Sequence, residues 1–194
     1  MAPLSGRHTP SYRYRIGGLH RLACLLLFAG MLFAPALESA DGADLESEVK
    51  AAFLLNYTKF TEWPNAAFSS PTAPISICLW GDDRIELALT QMIEGEMVAG
   101  RRITAQKIRQ PPPPKSCQVL FVSGSDKEAS MILSNLGPWV LTVGEGESFL
   151  RAGGMVAFVI ENRRVRFDIN QRVAENAQLK LSSRLLSVAR SVEK

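Results

Sequence analysis

An α/β fold, a layered sandwich with helices flanking a mixed β-sheet in a single domain, is predicted by three observations. Helical and extended patterns alternate from residue 44 onward. Met155 to Ile160 is an unbroken apolar run, as in a strand covered on both faces, and Val165, Phe167 and Ile169 then alternate with Arg164, Arg166 and Asp168, as in a strand that buries one face and wets the other. About 150 residues remain after the leader described next, enough for one hydrophobic core.

Residues 1–21 carry Arg7, Arg13, Arg15 and Arg21 and no acidic residue, and Leu22 to Ala36 is mostly apolar. This apolar stretch is shorter than the roughly 20 residues that cross a bilayer. With the small-x-small triplet Ala34-Pro35-Ala36 it predicts a secretory signal peptide over residues 1–36, extended as far as 43 if the cut follows Ala40 or Ala43. Cys24 lies at the start of the apolar run rather than after it, the wrong place for lipidation. The formal net charge of +3 belongs to this segment: four of 22 Lys and Arg and one of 19 Asp and Glu precede residue 41, leaving 18 of each. A neutral mature chain gives no reason to expect nucleic acid or an anionic membrane surface as partner. Both histidines, His8 and His20, also lie in the leader. The remainder therefore has no Ser-His-Asp or Cys-His arrangement and lacks the commonest zinc ligand. Cys78 and Cys117 remain. Export to an oxidising compartment makes a disulfide between them the expected state, with two buried free thiols the alternative.

Along the mature chain, Val49, Ala52, Phe53, Asn56 and Phe60 recur at helical spacing in DLESEVKAAFLLNYTKFTEWP, a first helix with Asp44 or Ser47 as cap and Pro64 near its end. Asn56 falls on that stripe and is read, with Asn170, as a structural amide that needs buried hydrogen-bond partners. Ile75 to Trp80 is a strand, followed by Gly81-Asp82-Asp83 and a helix with Ile85, Leu89, Met92 and Ile93 on one face; Asp83 and Glu86 have capping-box spacing. Two carboxylates at this strand-to-helix turn oppose phosphate binding. Ile103 to Ile108 is the next strand, and Pro111 to Pro114 form a stiff polyproline linker. Gln118 to Val122 is a strand, and Ser125 with Glu128 caps a helix carrying Ala129, Ile132, Leu133 and Leu136 inward, stopped by Gly137-Pro138. A strand over Trp139 to Val143, a short helix over Glu145 to Arg151 and Gly153-Gly154 lead to the hairpin, which turns within Glu161 to Arg164. A helical stretch through Val173, Ala174 and Ala177 and a final helix aligning Leu181, Leu185, Val188 and Val192 complete the chain.

No phosphate loop, GxSxG elbow, HExxH, EF-hand or zinc cysteine spacing is present, and no carboxylate pair is singled out. An enzyme is not expected, and a hydrolase using carboxylates alone ranks last among the functions considered. Six segments in order, VKAAFLLNYTKFTEWP, ISICLWGDD, RRITAQKI, SCQVLFVSGS, WVLTVGEGESFLRAGGMVAFVIENRRVRFDIN and LKLSSRLLSVAR, together resemble the YfiR family of exported bacterial proteins over about Glu48 to Arg190. The resemblance implies a periplasmic α/β protein, the domain is read over 44–192, and no cofactor or metal is expected. For the characterised branch it implies a repressor acting on the periplasmic domain of an inner-membrane diguanylate cyclase, which lowers cyclic di-GMP and biofilm formation. Another membrane sensor, an outer-membrane lipoprotein and a second copy of the chain are further partners compatible with it. The family carries a cysteine pair at the positions of Cys78 and Cys117, and the second disulfide of some members is missing here. The alternative function is a periplasmic small-molecule-binding protein serving a transporter or sensor kinase. Trp63, Trp139 and Phe149 are the candidate partner-binding aromatics, because such side chains anchor interfaces.

Overall fold

The computed structural model describes residues 39–194. The predicted leader over 1–36, with Cys24 and both histidines, lies outside them, while Ala40 and Ala43 fall within the first helix, α1 (Ser39–Phe60). After it come β1 (Thr61–Glu62), a 3₁₀ turn (Asn65–Ala67), β2 (Ile75–Trp80), α2 (Asp83–Met92), β3 (Met97–Val98) and β4 (Arg101–Lys107). The middle of the chain forms β5 (Val119–Val122), α3 (Asp126–Leu133), β6 (Leu141–Glu145) and α4 (Gly146–Arg151). The hairpin strands β7 (Val156–Glu161) and β8 (Arg164–Asn170) follow, then α5 (Gln171–Asn176), β9 (Lys180–Leu181), α6 (Ser183–Val188) and β10 (Ser191–Glu193).

One eight-stranded sheet runs in the order β10-β8-β7-β6-β5-β2-β4-β3, and β1 and β9 form a separate antiparallel pair. From β7 to β4 neighbouring strands are parallel, while β8 and β3 run against their neighbours β7 and β4. The layers follow from the handedness of the crossovers. The chain leaves β2 toward β4 on one side, then returns past β2 and proceeds β5, β6, β7 on the other. Right-handed connections in opposite directions place their helices on opposite faces. Accordingly α1, α2, α5 and α6 contribute Leu54, Tyr57, Ile85, Leu89, Ala174 and Leu185 to one core, and α3 and α4 contribute Ala129, Ile132 and Phe149 to the other.

Strands β2 and β7 lie where the apolar runs place them, and the Ser125–Glu128 capping box is complete in both directions. Four expectations are corrected. In α1 the face toward the sheet is Ser47, Lys50, Ala51, Leu54, Tyr57 and Thr58, so the predicted stripe lies at the margin of that face, with Phe53 and Phe60 half-buried against the core and Asn56 exposed. The polar members of the true face are tolerated because they find local partners: Ser47 Oγ donates to the Ala43 carbonyl at 3.0 Å and Thr58 Oγ1 to the Leu55 carbonyl at 2.6 Å. Asp82, not Asp83, caps α2, accepting from the Arg84 amide at 2.9 Å. Asp168, expected in water, is 4% exposed, because Arg190 covers it. The last predicted helix is confined to α6; Leu181 lies in β9 and Val192 in β10, which joins the sheet beside β8.

Candidate functional site

The β7–β8 hairpin turns through Asn162 and Arg163, both in the left-handed region at φ 50° and 60°, the two-residue geometry that matches strand twist. Its register sets Phe158 opposite Phe167 and Ile160 opposite Val165. Residues two apart share a face, so Ile160 and Val165 continue the surface begun by the two phenylalanines. Over that first step α1 closes the core: the Phe53 and Phe167 rings meet edge-on at 5.2 Å and Tyr57 meets Phe167 at 5.5 Å. Burial raises the Tyr57 phenol well above its ordinary pKa, so it stays neutral.

One step further out, the helix and the hairpin separate. Leu45 and Val49 of α1 and Ile160 and Val165 of the hairpin line an open groove of about 590 Å³, with Arg163 and Arg164 at its rim. Leu45 is 61% and Ile160 55% exposed, large for aliphatic side chains of adjoining elements. A smaller depression of about 290 Å³ shares Glu46 and Ile160 with the groove and reaches Lys50 and Glu145. The Lys50 ammonium is buried between two carboxylates, at 2.6 Å from Glu46 Oε1 and 2.8 Å from Glu145 Oε1. Burial opposes its charge, but the hydrogen bonds to Glu145 and Glu46 prevail and raise its pKa. Arg163 and Arg164, in contrast, form no ion pair among the described residues. The site thus presents an apolar floor, an acidic wall whose two carboxylates share one lysine, and a cationic rim without ion-pair partners among the described residues. Its exposed apolar side chains suit it to docking.

The residues singled out from the sequence are not gathered at this groove. Cys78 and Cys117 form a disulfide with α-carbons 5.8 Å apart, buried in the opposite core. Phe149 is 2% exposed beneath α4 and has no surface to offer a partner, a correction to its candidacy. Its ring fills the space left by Gly144 and Gly154, which is why an aromatic on a short surface helix points inward. Trp63 is half-buried against the main core, and its buried Nε1 has no acceptor among the described residues. Trp139 is half-buried in the left-handed region at φ 69°, and its Nε1 donates to Gln178 Oε1 at 2.8 Å. Asn170 caps α5, accepting from the Val173 amide at 3.1 Å and donating to Glu193 Oε2 at 3.1 Å. Leu45, Val49, Ile160 and Val165 escaped the sequence argument because apolar residues at regular spacing are indistinguishable from core. The available signal was Glu46 and Lys50 interleaved with Leu45 and Val49, which marks a helix that is amphipathic on two sides.

Comparison with known proteins adds three findings. A family model described as YfiR/HmsC-like matches residues 47–190. No curated protein matches. A crystal structure of a conserved domain protein from Vibrio cholerae O1 biovar El Tor superposes with a TM-score of 0.45 at 10% identity, over 76% of this chain and 60% of its own.

Proposed function

The chain belongs to the YfiR/HmsC-like family, a family of periplasmic regulators, and from that premise we propose that it binds the periplasmic domain of an inner-membrane sensor, a diguanylate cyclase, and holds it inactive. The observation that carries the proposal is the groove between α1 and the hairpin tip, where Leu45 and Ile160 stay exposed on elements that are otherwise packed. An exposed apolar surface of this kind is a mark of association. The regulator acts by binding alone and performs no chemistry of its own. Deleting the gene raises cyclic di-GMP and biofilm formation, and a copy carrying Ile160→Glu fails to reverse this although it accumulates and melts like the parent. Unchanged cyclic di-GMP in the deletion strain across growth conditions refutes repression of a cyclase. Full complementation by Ile160→Glu refutes the groove as the partner surface.

A further inference from the structure

We propose that the groove binds a single-chain amphiphile with an anionic headgroup, its chain laid between Leu45 and Val49 of α1 and Ile160 and Val165 of the hairpin, its head at Arg163 and Arg164. The volume of about 590 Å³ lies in the range of small-molecule sites, and the lining combines four aliphatic side chains with Glu46, Arg163 and Arg164. The α1 wall runs from Gly42 to Val49, about 10 Å along the helix axis at 1.5 Å per residue, which holds the part of a long extended chain nearest its head while the rest leaves through the open end of the groove.

Charge selects the headgroup. Glu46 is the carboxylate lining this groove; Lys50 bridges it at 2.6 Å and Glu145 at 2.8 Å, so this cluster keeps one net negative charge against the two positive charges of Arg163 and Arg164. Arg163 and Arg164 have no such partner among the described residues; Glu161 stands opposite Arg164 in the hairpin register without forming an ion pair with it. Guanidinium groups of this kind bind carboxylate or phosphate through paired hydrogen bonds. Arg163 occupies the second turn position at φ 60°, where glycine fits without strain and a long side chain does not. The hairpin turn itself requires that conformation, and it sets the Arg163 cation at the groove mouth.

The inference shares the groove with the proposed function but not its partner. Failure to bind an amphiphile leaves sensor docking standing, and failure to bind a sensor leaves the amphiphile site standing. The test is calorimetric titration of the mature chain, purified from the periplasm, with sodium myristate below its aggregation threshold. Saturable one-to-one binding is expected, with Ile160→Glu abolishing it and Arg163→Gly weakening it at least tenfold. Arg163→Gly melts at the parent temperature or above, since glycine relieves the left-handed position, so its loss of binding cannot be ascribed to misfolding. Dodecyltrimethylammonium, with the same apolar character and the opposite charge, binds at least tenfold more weakly. No saturable myristate binding, equal affinity in Arg163→Gly, or equal affinity for the cation overturns the proposal. So does a dimer in light scattering that Ile160→Glu dissociates and that binds no myristate, since the groove is then covered by a second copy.

Discussion

Phe149 shows how single residues determine local fit: its ring occupies the positions that a Cβ on Gly144 or Gly154 would take. Gly144→Ala therefore overpacks the α4 side and lowers stability by about 1–3 kcal/mol, while Phe149→Ala leaves a void and costs about 3–5 kcal/mol. Denaturant melts should show the double variant no less stable than Phe149→Ala alone, because the clash needs both partners; additive losses refute the contact as the cause. Lys50 gives a prediction with a pH signature. Burial alone would lower its pKa, but the bonds to Glu145 and Glu46 hold it above the ordinary 10.5. A lysine with a raised folded-state pKa stabilises fully below its unfolded value and loses that contribution as pH climbs through the folded value. Lys50→Met should cost about 1–3 kcal/mol at neutral pH. The gap between parent and variant should stay constant up to about pH 10 and narrow only above 10.5. A gap that varies between pH 6 and 9 assigns the stabilisation to another group.

At the scale of elements, β10 is held by side chains as much as by its own short ladder. Its three residues pair with β8 at Asp168, Ile169 and Asn170. Just before it the Arg190 guanidinium makes two bonds to the buried Asp168, and the Arg190 amide donates to the Phe167 carbonyl at 2.8 Å. Glu193 is gripped in turn by Asn170 at 3.1 Å and Arg172 at 2.7 Å. Arg190→Ala leaves Asp168 buried without its cation, so hydrogen exchange should speed up at residues 191–193 while β7 stays protected; unchanged protection at 191–193 shows that the backbone ladder suffices. The same strand explains what was and was not legible in the sequence. β2, β7 and β8 are long enough for apolar runs and alternation to declare them, and the α3 cap is a contiguous motif. β10 depends on partners more than twenty positions away, and Leu185, Val188 and Val192 happen to repeat at helical spacing, so a local period named a helix there. β1, β3 and β9 have two residues each and carry no period at all. In α1 Ser47, Lys50 and Thr58 sit among Ala51, Leu54 and Tyr57 on the core face while Leu45 and Val49 face the groove, and this mixing hid both the packing face and the candidate site.

Across the whole molecule, the parallel crossovers β2 to β4, β5 to β6 and β6 to β7 are made through helices that bury their own face, whereas the return from β4 to β5 is helix-free. That return crosses β2 through residues 108–118, including Pro111 to Pro114, and contributes to the smaller core mainly at its ends, through Ile108 and Cys117. A long connection without a helix buries little apolar surface against the entropy of ordering it. The Cys78–Cys117 disulfide supplies the missing constraint by tying the end of the crossover to β2 across a separation of 39 residues. Closing a loop of that length stabilises by about 4 kcal/mol in the chain-entropy model, a large share of a typical total. Thiol titration of the denatured, unreduced mature protein should find no free thiol, and reduction or Cys117→Ala with Cys78→Ala should lower the melting temperature by roughly ten degrees or more. Hydrogen exchange in the reduced protein should rise first in residues 108–118, ahead of the β7–β8 hairpin, because the helices that cover the other crossovers do not depend on the bond. Two titratable thiols in periplasmic material, or a melting temperature indifferent to reduction, would show that the proline-rich crossover is held by its packing alone.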